Sequence, residues 1–402
     1  MIVHVFNSSL ISGPETLVLP ALSSLHKTKQ EVKIIWLKES RIAENKQQHV
    51  ADYFQKLRLP YVTVPIKKRF DKSAIQNLSQ TLLSLSQQNQ LQVAHAHDVK
   101  ASMYLLKASQ LLKTRTFNLV STHHGVHARS GIKNYLYARY YENFILPYYD
   151  QTLVVCSSDK QLLINRGLKE NQVTIHLNGV TRPKISLYER SHVQNEIRKK
   201  WQLDQFIKTD LSDKPLIIGV AARIEVEKQH SLILEVFRQL KINSPELKWH
   251  LLCFGRGQLE YLMKEKTQQL GLNDVVTWMG YRAGLSEEFA GFDVLLSLSK
   301  AEGLPINLIE AGWAGTPVFA TAVDGVTDLI SNSSLGELVP LNTAVNLLAE
   351  KLNKFMMNPA HLREIGKNFQ NHVEINFSQD HWLRELLKIY EILRRQTKKN
   401  SL

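Results

Sequence analysis

Two doubly wound α/β domains are the architecture this sequence predicts, and three observations lead to it. Short β-branched runs alternate with longer stretches of helical periodicity, the pattern of parallel strands joined by helices. The alternation occurs in two series, each of about domain length. The chain has 402 residues, 44% of them apolar and 22% charged, which suits two packed cores and not a disordered chain.

In chain order, the first series predicts strands at Ile2–Phe6, Val32–Leu37, Tyr61–Pro65, Gln92–His95, Phe117–Thr122 and Thr152–Cys156. The second predicts them at Leu216–Ala221, Trp249–Phe254, Val275–Trp278, Val294–Leu298 and Pro317–Ala320. Between the series, 181–215 is polar and carries Pro183 and Pro215. It predicts a linker near its start and a helix over Glu189–Trp201. Phe377–Arg395 predicts an amphipathic helix, with Ser378 as N-cap and an apolar face of Trp382, Leu383, Leu386, Leu387, Tyr390 and Leu393. The expected divisions are 1–182, 183–376 and a terminal helix over 377–402.

Composition narrows the setting. No apolar run reaches transmembrane length. Met1–Phe6 enters a strand without a basic leader or cleavage site, so a cytoplasmic location is expected. Cys156 and Cys253 lie in separate apolar stretches and read as buried free thiols. The net charge of +13 is spread over Lys67-Lys68-Arg69, Arg198-Lys199-Lys200, Arg394-Arg395 and Lys398-Lys399. Each cluster reads as solvated surface, while the total favours an anionic partner: phosphorylated substrate, lipid headgroups or nucleic acid. No nucleic-acid motif accompanies the charge. The histidine groups His95, His97 and His123, His124 lack the spacing of a ligand set, and no metal is expected.

In doubly wound sheets ligands bind beyond the carboxyl ends of strands. The richest such junction follows Val294–Leu298. There Glu302 and Gly303 precede Pro305, which suits the first position of a helix ended by Gly315 and Pro317. Gly303 permits close approach to backbone, and open N–H groups at a helix start favour anions. Glu310 lies on the face that Ile306, Ile309 and Trp313 use for packing, so it needs either a ligand or a core cation. After Leu216–Ala221 come Arg223 and Lys228, suited to a diphosphate or else to pairing with Glu225 and Glu227. Gly13 with Pro14 opens a helix after the first strand, a third candidate phosphate-facing loop. Tyr135–Tyr149 is rich in aromatics, with Arg129, Lys133 and Arg139 nearby. It fits packing on its own sheet, a membrane surface or an acceptor glycan.

Glu302-x7-Glu310, Ala314-Gly-Thr-Pro-Val318 and Asp324-Gly325 together resemble the retaining glycosyltransferases of family 4, which have the GT-B fold. The resemblance covers nearly the whole chain. It implies two Rossmann-like domains facing a cleft and a C-terminal helix crossing back to the first. It implies a nucleotide-sugar donor, transfer of a hexose-type sugar with retention to a glycan or lipid-linked hydroxyl, and no cofactor. Glu310 would hold the ribose, Glu302 and His124 the sugar, and Arg223 with Lys228 and Gly13 the diphosphate. Gly303, Leu304, Pro305 and Ile306 would face sugar and diphosphate, and Gly255 and Tyr281 would lie in the base and phosphate loops. Surface-polysaccharide or lipopolysaccharide assembly, with peripheral contact at the inner face of an anionic membrane, completes the expectation. Departures are Pro14 for a second Gly, Gln229 for Gly, and Asp324 for the first Gly of Gly-Gly. The rival readings are a sugar-nucleotide epimerase or phosphorylase of the same fold, and a degenerate glycan or nucleotide binder.

Overall fold

The computed structural model describes residues 1–9, 11, 13–28, 30–68, 70–89, 91–124, 132–184, 190–203 and 215–399. Ser12, Arg69, Gly125, Arg129 and Glu189 lie outside them, as do the side chains of Pro14, Lys133, Lys398 and Lys399.

Two compact units emerge, Met1–Thr181 with Gln379–Leu402, and Arg182–Ser378. The first holds seven strands: β1 (Ile2–Phe6), β2 (Val32–Glu39), β3 (Tyr61–Ile66), β4 (Val93–Ala96), β5 (Asn118–His123), β6 (Gln151–Val154) and β7 (Val173–Ile175). Their order is β3-β2-β1-β4-β5-β6-β7, parallel throughout. The second holds β8 (Leu216–Ala221), β9 (Trp249–Phe254), β10 (Val276–Gly280), β11 (Val294–Ser297), β12 (Val318–Thr321) and β13 (Glu337–Val339). Their order is β10-β9-β8-β11-β12-β13, again parallel. Helices cover both faces of a parallel sheet, so its strands are buried whole and read as unbroken apolar runs. Every residue of β1, β4, β5, β6, β9, β11 and β12 is buried.

The three-residue edge strands β7 and β13 escape sequence reading, because three residues are too few for a periodicity. The terminal helix is Gln379–Lys399. Phe377, expected within it, instead closes the helix Pro359–Asn376 with φ −127°. Arg190–Lys200, expected inside the linker region, is a packed helix of the second unit. Its Arg190 donates to Gly315 O at 2.6 Å and Phe292 O at 2.5 Å. Burial lowers that guanidinium to about 10. Both cysteines are free and buried, and burial raises both thiols, Cys156 to about 12. Among the described residues no helix is long and apolar enough to cross a membrane.

The terminal helix is held to the first unit by polar bonds beneath its apolar face. His176 Nε2 bonds Trp382 O at 2.9 Å, and Gln379 N donates to Val180 O at 3.1 Å. The Tyr390 hydroxyl lies 2.6 Å from His95 Nδ1, both groups buried. Removing that hydroxyl leaves a buried imidazole nitrogen unpaired. Tyr390→Phe is therefore expected to lower the unfolding free energy of the first unit by about 1–3 kcal/mol in urea titrations. A variant within error of wild type would mean the hydroxyl is not needed there.

Candidate functional site

Strands β8 and β11 lie side by side at the point where the second sheet reverses direction, since β9 extends it one way and β12 the other. This is where a doubly wound sheet opens a crevice. Loops from the two strand ends are laced together. Asn307 Nδ2 donates to Ala221 O at 3.0 Å, tying the helix Ile306–Trp313 to the end of β8. Lys300 N donates to Glu227 O at 2.8 Å, and Gln229 Nε2 to Leu298 O at 2.6 Å. Within this lacing Lys228 Nζ meets Glu302 Oε1 at 2.5 Å, both side chains largely buried. Arg223 is not brought to Lys228. It is 72% exposed and pairs with Glu225 at 2.7 Å, the surface-cation arrangement.

Pro305 precedes the helix rather than opening it. Its ψ of 112° is extended, and its carbonyl accepts from Leu308 N and Ile309 N. A proline at that position offers no capping side chain, so nothing local covers the first-turn N–H groups of Ile306 and Asn307. Along the same helix Leu308, Ile309, Ala311, Gly312 and Trp313 are buried. Glu310 stands among them half-buried, and no hydrogen bond or ion pair reaches its carboxylate among the described residues. Desolvation, with Glu287 as a second negative charge, raises it to about 7. The core-cation alternative for Glu310 thus finds no partner there.

Gly255 marks another junction. At φ 136° a Cβ would stand 1.9 Å from Ala222 O. The turn after β9 therefore needs glycine to pack on the Arg223 loop, where Ile224 N donates to Arg256 O at 3.1 Å. Tyr281, just past β10, is exposed.

The first unit reverses between β1 and β4. Beyond β1, Gly13 begins the helix Gly13–Lys27, and Ser8 Oγ bonds the Glu15 carboxylate. Beyond β4, Asp98 caps the helix Val99–Gln110. Its two oxygens accept from Ala101 N and Asn7 N, each at 2.7 Å. Those bonds tie the ends of β1 and β4 together through Asp98. His124, past β5, is kept neutral by burial, its pKa lowered to about 4, and its Nε2 has no hydrogen-bond partner. Its ring lies 6.5 Å from His97, which stacks on Phe6 at 4.5 Å.

His4 is missed by sequence reading. It stands opposite His95 in register, so His4, His95 and His97 form one buried row on one sheet face. One ring nitrogen of each lies within 4.8 Å of the others, and among the described residues they are the group able to hold a metal. Their bonding favours a hydrogen-bonded seam. His4 Nδ1 and His97 Nε2 are 2.7 Å apart, and both His95 nitrogens face hydroxyls, Tyr390 and Thr122. Two nitrogens sharing a tetrahedral zinc stand roughly 3.3 Å apart.

Comparisons with known proteins agree with this architecture. Residues 202–372 match the model of the glycosyl transferases group 1, and residues 11–182 that of glycosyltransferase family 4. The chain belongs to the family 4 glycosyltransferases. It is 31% identical over 188 residues to the putative colanic acid biosynthesis glycosyltransferase WcaL of Escherichia coli, covering 44% of this chain and 46% of that one. It is 23% identical over 356 residues to the putative glycosyltransferase EpsD of Bacillus subtilis, covering 85% and 88%. The solved structure of Anabaena HepE in complex with UDP superimposes with a TM-score of 0.77 at 15% identity, over 97% and 99% of the chains. The fold is GT-B.

Two departures of this glycosyltransferase from its family's pattern have a structural reading. Gln229 adopts φ 51°, a conformation glycine takes without strain, so the side chain changes while the left-handed turn stays. Asp324 holds φ 31° in the same way. The following Gly325 cannot change: a Cβ there would meet Gly303 O at 2.2 Å, in the loop that carries Glu302.

Glu310 makes a pH-dependent prediction. Its pKa is raised in the fold, so the native state binds the proton more tightly than the unfolded chain. No stability is lost below the ordinary carboxylate range, and the loss grows as pH rises towards 7. Glu310→Gln is expected to stabilise the unliganded protein by on the order of 3 kcal/mol at pH 8 and by much less at pH 5. A difference in unfolding free energy that does not vary with pH would refute the desolvation of Glu310.

Proposed function

We propose that this glycosyltransferase takes a hexose from a nucleoside-diphosphate sugar and transfers it, with retention, to a hydroxyl of a lipid-linked or glycan acceptor. The observation carrying the donor half is Glu310, a desolvated carboxylate without a donor, on the helix whose start is tied to β8. Ribose hydroxyls are the complement such a group lacks. The open N–H groups at Ile306 and Asn307 and the cation Lys228 suit the diphosphate. Glu302, held by Lys228, and the neutral His124 are assigned to the sugar. Arg223 is exposed enough to swing from Glu225 to the phosphates. Gly13 opens the helix at the switch point of the first unit. Tyr281 and Gly255 are assigned to the base side.

Chemically, the bond from the anomeric carbon to the diphosphate oxygen breaks, and Lys228, Arg223 and backbone N–H groups stabilise the negative charge that develops. The oxocarbenium-like sugar is attacked by the acceptor hydroxyl on the face the diphosphate leaves. The acceptor proton passes to the departing diphosphate, so no protein nucleophile is required. No Asp-x-Asp occurs in the chain, and transfer is assigned no metal. UDP is the first nucleotide to test, since HepE is solved with UDP and with UDP-glucose. Polysaccharide assembly is the setting supported by the names of WcaL and of a Streptomyces coelicolor exopolysaccharide phosphotransferase.

Thermal unfolding against UDP-, GDP-, ADP- and CMP-sugars tests the donor site. One of them should raise the midpoint of wild type and not of Glu310→Ala. At a hundred times its dissociation constant the gain is about 2.7 kcal/mol. Ionised Glu310 accepts from ribose, so the affinity should weaken as pH falls below about 7. Lys228→Ala should lower kcat by roughly 10²–10³ with EDTA without effect on wild type. A folded protein indifferent to all four sugars would favour the degenerate binder. Turnover without acceptor would favour an epimerase.

A further inference from the structure

Four residues other than glycine hold a positive φ among the described residues: Arg58, Gln202, Gln229 and Asp324. Such a backbone costs free energy in any residue with a Cβ, so each calls for something that offsets it. Two of the four stand just past helices, where a left-handed residue closes the last turn. Arg58 follows the helix Glu44–Lys56 and donates its N–H to Gln55 O at 2.9 Å, and Gln202 follows Arg190–Lys200 and donates to Lys199 O at 2.8 Å. Gln229 gains its side-chain bond to Leu298 O. Asp324 has neither. It begins a helix, Asp324–Leu329, and its half-buried carboxylate takes part in no hydrogen bond or ion pair among the described residues.

Its place in the fold points to a cause. Asp324 lies three residues past the end of β12, the strand beside β11. Thr321 Oγ1 donates to Ser299 O at 2.6 Å, which ties these two strand ends together. Gly325 packs on Gly303 O with no room for a Cβ, so Asp324 is joined directly to the residue that touches the loop of Glu302 and Gly303. Lys228 in this corner is already committed to Glu302, and no ion pair joins the exposed Lys300 to Asp324. Asp324 therefore adds a negative charge beside that loop which no ion pair of the described residues neutralises.

We infer that Asp324 is a specificity residue for the donor sugar: its carboxylate borders the sugar, accepts neutral hexoses and excludes donors whose sugar carries an acid group. The inference rests on the proposed reading that Gly303, Leu304, Pro305 and Ile306 face the sugar and diphosphate, and it deepens that reading by naming the class of sugar. A hexose hydroxyl can donate to a carboxylate, whereas a uronate brings a second negative charge. Two like charges about 6 Å apart in partly solvated surroundings weaken binding roughly tenfold. The glycine of the family pattern at this position carries no charge and would draw no such distinction.

Calorimetric titration of the full chain provides the test, with UDP, UDP-glucose and UDP-glucuronate in one series and GDP, GDP-mannose and GDP-mannuronate in a second. In the series the protein accepts, wild type should bind the acidic sugar nucleotide roughly tenfold or more weakly than its neutral counterpart. Asn and Gly both tolerate a left-handed backbone, so Asp324→Asn and Asp324→Gly should keep the wild-type unfolding midpoint. Both variants should narrow the gap to about threefold or less and leave the affinity for the bare nucleoside diphosphate unchanged. Wild type that binds acidic and neutral sugars alike, or a gap that persists in both variants, overturns the inference and leaves Asp324 to the start of its helix. So does an equal loss of affinity for the bare diphosphate and the sugar nucleotides, which would place Asp324 on the nucleotide. The bare diphosphates read the donor site on its own: wild type that binds neither removes the donor reading together with this inference, while diphosphate binding with an unchanged gap removes the role of Asp324 alone.

Discussion

Two strand ends that point the same way, β8 and β11, have to be joined across a gap from which their following helices diverge. The chain closes that gap with polar bonds from both backbone and side chains: Asn307 to Ala221 O, Lys300 N to Glu227 O, Gln229 to Leu298 O, and Lys228 to Glu302. Each bond spans at least 69 residues of sequence. They fix the start of the helix Ile306–Trp313, and through it the place of Glu310. They also hold the Glu302 loop against Gly325, where no Cβ fits. Conversely, the N–H groups of the first turn are left uncovered because Pro305 stands where a capping side chain would be. Rigidity around an open helix start is what an anion site requires, since donors that need not reorganise give the larger electrostatic effect.

Much of this was legible in the sequence because parallel sheets are buried on both faces. Largely apolar runs locate strands such as Leu216–Ala221 and Trp249–Phe254 to the residue. The juxtaposition of Lys228 with Glu302 follows from topology, as both stand just past neighbouring strand ends. What sequence could not reach was pairing between distant segments and the choice among partners. Nothing local says that Arg223 turns to Glu225 while Lys228 turns inward, since both follow the same strand. Pro305 satisfies the local statistics of a first helical residue yet takes an extended ψ, because its carbonyl is used as the cap. The row of His4, His95 and His97 depends on the register of β1 against β4, and its partner Tyr390 comes from 295 residues away.

Buried histidines and a half-buried acid thus coexist, and they differ in how they are satisfied. In the first unit burial keeps His4, His95 and His97 neutral, and a neutral imidazole can both donate and accept, so His95 joins Thr122 and Tyr390 without carrying charge into the core. Glu310 has no such freedom. A carboxylate only accepts when ionised, and with no donor near it the group is held at a pKa of about 7, poised between two charge states. A core built only for stability would place an apolar residue or a pair at that position. Keeping an unpaired acid beside the switch point makes sense when its donors arrive with a ligand. On the proposed function, the stability lost in its absence becomes selectivity for a molecule carrying two adjacent hydroxyls and a diphosphate.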